Sequence, residues 1–318
     1  MLYLYLLLII IGLALLIKGA DILVEGASNL AKKYKVSELV IAMTIVAFGT
    51  SAPEFIISFT AALTGHPDIS LGNIIGSNIF NMFVVLGITG LVYPISVQDK
   101  TIKYEIPFSL VAGLALFICA KVTIMQNAVS YVDRVDGVIF LMLFTLFLIY
   151  VYVNMKRDQE KEVENNEPTF SLLKSFLFMV LGLALLIFGG KVVVDFAVLF
   201  AGSLGVNEEV IALTIVAGGT SLPELMISVM GILKKKSDIA IGNIVGSNIF
   251  NILFILGVSA IATPISYQHK FDIDMYFLLG GSILLFVYTK MNKKLDRLEG
   301  SVFIGMYLWY IVYIIGRG

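Results

Sequence analysis

Residues 42–58, AMTIVAFGTSAPEFIIS, return 170 positions later as ALTIVAGGTSLPELMIS, identical at 12 of 17 positions. Residues 68–81, DISLGNIIGSNIFN, return at 238–251 as DIAIGNIVGSNIFN, identical at 11 of 14. The shift needs no gap, because Gly87 falls on Gly257 and Pro94 on Pro264. A chain that repeats itself once must fold as two like units.

Each unit is built for lipid. The 318 residues are 58% hydrophobic and 14% charged, whereas a soluble domain is about 45–50% apolar and about 25% charged. Apolar runs and their polar punctuation predict five helices per half. They cover 2–24, 38–63, 70–93, 104–125 and 132–155, then 172–200, 208–233, 240–263, 272–291 and 299–316. The first run is not read as a cleaved signal, since its GLALLI at 12–17 recurs at 182–187 inside the second half. The units are therefore 1–155 and 172–318, joined by a charged linker at 156–171 that is expected to be cytoplasmic and mobile. Five crossings are an odd number, so the second half runs through the bilayer upside down. The expected fold is an all-α membrane protein of ten spans in two inverted repeats, with discontinuous central helices.

Charge placement tests the count. With ten spans, one set of alternate loops holds sixteen Lys and Arg residues, from Lys32 to Arg297. The other set, with the termini, holds only Lys121, Arg134, Lys270 and Arg317. Cytoplasmic loops carry the Lys/Arg excess, which puts both termini outside. Lys18 and Lys191 lie within spans, each one turn before an acid, Asp21 and Asp195, and read as locally neutralised pairs. A net charge of −1 offers no field for nucleic acid. The single cysteine, Cys119, excludes an internal disulfide framework and a thiolate cluster.

Within the second and seventh helices, Pro53 and Pro223 are each followed by an acid, Glu54 and Glu224. A mid-helix proline removes a donor and frees the carbonyl four residues back, here Gly49 and Gly219. Freed oxygens in hydrocarbon need a partner, and a carboxylate at mid-bilayer is expensive enough to imply function. The plain alternative, a protonated glutamate used for packing, suits one such residue better than two in register. In the third and eighth helices, Asn73, Ser77 and Asn81 form a polar stripe with its image in Asn243, Ser247 and Asn251. The alternative there is interhelical hydrogen bonding. His66 and His269 fall in loops and are expected to be solvated. The remaining inventory is all oxygen, which suits hard cations such as sodium or calcium. Two fixed negative charges favour a divalent ion, while several sodium ions could share the same oxygens. Competition for those oxygens would couple the two.

With its paired GTSxPE and GNxxGSNxxN signatures in two five-helix halves, the sequence resembles the sodium/calcium exchanger branch of the calcium/cation antiporter superfamily over essentially its whole length. That resemblance implies that the second, third, seventh and eighth helices frame a central ion site, with the first and sixth sliding across them. It implies ion binding by the backbone oxygens of Ala47, Thr50, Ala217 and Thr220. It implies the same for the side chains of Ser51, Glu54, Ser77, Ser221, Glu224 and Ser247, with Asn81 and Asn251 as site-wall groups. Some relatives carry aspartate where this chain has Asn251 or Asn81, which opens the question of sodium stoichiometry and of potassium coupling. The proton-coupled branch has glutamate where this chain has Gly76 and Gly246, and the large calcium-sensing loop of animal exchangers is missing. The expected function is sodium/calcium antiport by alternating access, in a prokaryotic plasma membrane and as a monomer. Calcium, sodium and the lipid bilayer are the partners, with no resident cofactor and no enzymatic activity. The alternatives are a proton- or potassium-coupled divalent-cation exchanger, a passive cation channel, or a membrane scaffold.

Overall fold

A computed structural model describes residues 2–121, 130–160, 169–205 and 217–317. Its helices are α1 (Leu2–Tyr34), α2 (Glu38–Thr50), α3 (Ala52–Leu63), α4 (Pro67–Val92), α5 (Thr101–Lys121) and α6 (Arg134–Glu160) in the first half. The second half follows with α7 (Leu172–Ser203), α8 (Leu222–Leu233), α9 (Ser237–Ala262), α10 (Phe271–Asn292) and α11 (Arg297–Arg317). A short helical turn, Ala217–Gly219, precedes α8. The start of the expected seventh helix, 208–216, lies outside the described residues, as do 122–125 and linker residues 161–168.

Burial separates centre from rim. In the most apolar windows of α4 and α9, 78% and 83% of residues are buried inside the protein, against 22% for α11 and 28% for α6 and α7. The peripheral helices present Leu, Ile and Phe outward, among them Ile10, Met142, Phe188 and Val312. In water such a face would be an aggregation hazard, whereas in a bilayer it is solvated by acyl chains. The protein is an integral, multi-pass membrane protein.

The break in the second span lies two residues before the proline. Helices α2 and α3 meet at 49°, and the joint is Ser51, with φ −78° and ψ 7°. Its image Ser221 has φ −91° and ψ 10°. Both prolines then sit in the first turn of the following helix, where a missing N–H costs nothing. The sequence-based expectation of a freed Gly49 carbonyl is corrected here. Backbone N–H groups at the joint reach the carbonyl oxygens of both Ala47 and Gly49.

Helices α1 and α7 have 33 and 32 residues, about 50 Å at ~1.5 Å per residue, longer than the ~30 Å hydrocarbon core. They lie antiparallel with backbones in contact. A Cβ on Gly19 would stand 2.8 Å from the Gly182 carbonyl oxygen, and one on Gly182 would stand 2.8 Å from that of Gly19. Gly12 faces Gly189 in the same register. Contacts across the halves come in reciprocal pairs. Gln98 Nε2 donates to Asp238 Oδ2 at 2.6 Å, and Gln268 Nε2 donates to Asp68 Oδ2 at 2.7 Å. Each pair is the other shifted by 170, as expected of halves related by a pseudo-two-fold axis.

Candidate ion site

Where α2 breaks into α3, and Ala217–Gly219 into α8, the chain presents Ser51 and Glu54 from one half and Ser221 and Glu224 from the other. All four side chains are 0% exposed. Their hydrogen bonds cross. Ser221 Oγ donates to Glu54 Oε1 at 3.1 Å, and Ser51 Oγ donates to Glu224 Oε1 at 3.5 Å. Each carboxylate thus reaches the signature of the opposite half, so the two acids face a common centre.

Helices α4 and α9 close the centre from its sides. Ser77, Asn81, Ser247 and Asn251 are all buried. Asn81 opens a wide-turned stretch, Asn81–Val85, and Asn251 lies in another, Phe250–Leu256. Such π-bulges widen the turn and re-aim side chains, frequently at functional sites. Asn73 and Asn243 act one layer out. Asn73 Nδ2 donates to the Glu54 carbonyl at 3.3 Å and to Ser58 Oγ at 2.9 Å. Asn243 Nδ2 does the same for the Glu224 carbonyl, at 3.3 Å, and Ser228 Oγ, at 3.5 Å. Both brace the backbone that carries an acid, as interhelical hydrogen bonding would have it. Thr50 Oγ1 donates to the Ala47 carbonyl and to Asn243 Oδ1, both at 3.2 Å, and lies 3.4 Å from Ser247 Oγ. Thr220 is half-buried. Ala217 opens the short turn Ala217–Gly219 ahead of Thr220, while its side chain lies outside the described residues.

One oxygen from each of six of these residues is buried without a hydrogen-bond partner: Glu54 Oε2, Glu224 Oε2, Ser77 Oγ, Thr220 Oγ1, Asn81 Oδ1 and Asn251 Oδ1. An unsatisfied buried polar atom costs about 1–3 kcal/mol, and six of them on the two acid-bearing segments and the helices packed beside them are a cost that a shared partner would relieve. Every one is an oxygen with a free lone pair, and two belong to carboxylates. A hard cation stripped of water is a partner that such a cage fits. His66 and His269 are exposed and away from it.

Residues 4–153 and 174–316 match the family model described as sodium/calcium exchanger protein. The chain belongs to the sodium/calcium exchanger family. Among its relatives, the inner membrane protein YrbG of Escherichia coli strain K12 is 36% identical over 324 residues, 96% of this chain and 95% of its own length. The sodium/calcium exchanger MaX1 of Methanosarcina acetivorans is 29% identical over 347 residues, 97% of each. A solved structure of the sodium-calcium exchanger NCX_Mj superposes with a TM-score of 0.82 at 32% identity, covering 98% of this chain and 99% of that one. Against this exchanger fold, the sequence reading missed four buried groups, Ser58, Ser228, Asn78 and Asn248. Their signal was present: each occupies the same place in both halves.

Proposed function

We propose that this chain is a sodium-driven calcium antiporter in which Glu54 and Glu224 share the transported ion. The observation that carries the reading is the crossed pair of serine–glutamate hydrogen bonds, which brings one acid from each half to one buried centre. Calcium would be held by both carboxylates, with the side chains of Ser51, Ser77, Ser221 and Ser247 and the backbone oxygens of Ala47, Thr50, Ala217 and Thr220 supplying further ligands. Asn81 and Asn251 wall the site. Sodium ions would occupy the same oxygens, so each ion set displaces the other and the site crosses loaded with one or the other.

Residues 1–155 and 172–318 work as one transport domain, with the linker on the cytoplasmic side and both termini outside, in the plasma membrane. The chain works as a monomer and catalyses no reaction. Each charge moved across 100 mV is worth about 2.3 kcal/mol, so exchanging more sodium charge than calcium charge would use the membrane potential to expel calcium. Proteoliposomes loaded with sodium should take up calcium-45 when diluted into sodium-free buffer, and should not do so under a proton or potassium gradient alone. Uptake indifferent to sodium would overturn the coupling, and conduction without counter-ion would make the protein a channel.

A further inference from the structure

We infer that Asn78 is a positioning residue for ion binding: it fixes which end of the Asn251 amide faces the ion site. The inference rests on the antiport reading and names a determinant within the same site. The two ends of an asparagine amide have nearly the same size and opposite character. The oxygen attracts a cation and the NH2 repels it. Shape cannot choose between them, so the hydrogen bonds must.

The choice traces back to the main chain. Asn78 Nδ2 donates to the backbone carbonyl of Asn248 at 3.4 Å. A carbonyl oxygen only accepts, so this bond sets the sense of the Asn78 amide and leaves its Oδ1 as the acceptor. Asn251 Nδ2 donates to that oxygen at 3.1 Å. The donor end of Asn251 is thereby used on Asn78, and Asn251 Oδ1 is left buried and unpartnered. A flipped Asn251 would set oxygen against oxygen at Asn78 and turn two N–H groups to the cation. Asn78 is 0% exposed and Asn248 is 2%, so bulk water does not compete. The image pair has the same sense. Asn81 Nδ2 donates to Asn248 Oδ1 at 3.2 Å, and Asn81 Oδ1 is again unpartnered. All four amides come from the two NIFN strings, 78–81 and 248–251.

A residue that merely packs α4 against α9 would share these contacts, so the test must separate aim from packing. Aspartate at 251 does so, because both its ends are oxygen and a carboxylate has no donor end to turn away. Sodium and calcium binding to the purified full-length chain would be measured by isothermal titration, for the parent, Asn78→Ala, Asn251→Asp and the double variant. Ion-free melting temperatures would report packing. Asn78→Ala should weaken sodium binding about tenfold in the parent and by about twofold or less in the Asn251→Asp background. Equal weakening in the two backgrounds, or none in the parent, would overturn the inference while leaving the antiport reading intact. A parent that binds neither ion would overturn that reading and this inference with it. Asn78→Leu, which keeps the branched shape and the number of side-chain heavy atoms of asparagine without its polar ends, repeats the comparison if the alanine variant fails to fold.

Discussion

Thr50 and Thr220 are the same residue in the same motif, and the structure treats them differently. Thr50 is fully buried and bonds Asn243 Oδ1 at 3.2 Å, with Ser247 Oγ at 3.4 Å. Thr220 is half-buried, and its hydroxyl has no hydrogen-bond partner among the described residues. The equivalents of its missing partners tell the same story, since Asn73 is half-buried where Asn243 is sealed, and Ser77 Oγ is unpartnered. Near-identical sequences in unlike contacts differ in conformation and not in chemistry. One end of the site is latched and the other is not. A two-fold-related protein that exchanges these roles has, without any new interaction, its second state, which is what alternating access requires.

The largest effect should ignore that difference. Glu54→Gln and Glu224→Gln each remove one of the two charges at the centre, and each should bring calcium exchange in proteoliposomes below detection while the protein stays monodisperse. If only one of the two abolished exchange, the ion would belong to one half and the shared-site reading would fail.

The threonines, by contrast, should part company. Thr50→Val strips a donor from Asn243 Oδ1 in a dry site, at a cost of about 1–3 kcal/mol, so ion-free protein should melt at a lower temperature. Thr220→Val removes a hydroxyl that has no hydrogen bond to lose. Its ion-free melting should be unchanged or higher, and the stabilisation conferred by added sodium or calcium should largely persist, because the Thr220 backbone oxygen is kept. Matching losses of ion-free stability would show that the latch is not one-sided.

Asn73 and Asn243 should differ in the same direction but by less. Both clasp a glutamate carbonyl and a serine one turn on, and only Asn243 also receives the Thr50 hydroxyl. Asn243→Ala should therefore lower the melting temperature more than Asn73→Ala, by the equivalent of one hydrogen bond, about 1 kcal/mol. In the Thr50→Val background the gap between the two should close.

How much of this the sequence shows depends on whether the deciding contact is local. The repeat, the ten spans, the two acids and the oxygen-only inventory all follow from composition and spacing, and the crossed serine–glutamate bonds place the acids as the motifs imply. The first helix was expected to end at 24, where Glu25, Ser28, Asn29 and Lys32 break the apolar run. It continues to Tyr34, with Lys35 closing it at φ 53°. Asn29 among them, and Asp21 just before them, have partners that lie far along the chain. Asn29 accepts from the backbone of Thr169 and Phe170, and Lys234 Nζ sits 2.5 Å from Asp21. Asn78 escaped for the same reason. Helical periodicity groups 73, 77 and 81 on one stripe, and only the packing of α4 on α9 reveals that position 78 meets the other half. The break at Ser51 was displaced from Pro53 because proline prefers the first turn of a helix to its interior.

The smallest effects should come from the intramembrane lysines, where the halves again differ slightly. Lys18 Nζ lies 2.9 Å from Asp21 Oδ2, with side chains 64% and 31% exposed, and Lys191 Nζ lies 3.6 Å from Asp195 Oδ2, at 73% and 53%. Neither pair hydrogen-bonds to the buried acids, and in the first half Lys234 also holds Asp21, so Lys18→Met leaves that acid paired. Both Lys18→Met and Lys191→Met should keep sodium-driven calcium exchange within about twofold of the parent, because each removes a locally neutralised charge and no ion ligand. Yield should fall for Lys18→Met, and the exchange rate per molecule is therefore the quantity to compare. Loss of exchange in Lys18→Met alone would move that lysine from the lipid-facing pair into the ion path, and would make the two long helices unequal partners in transport.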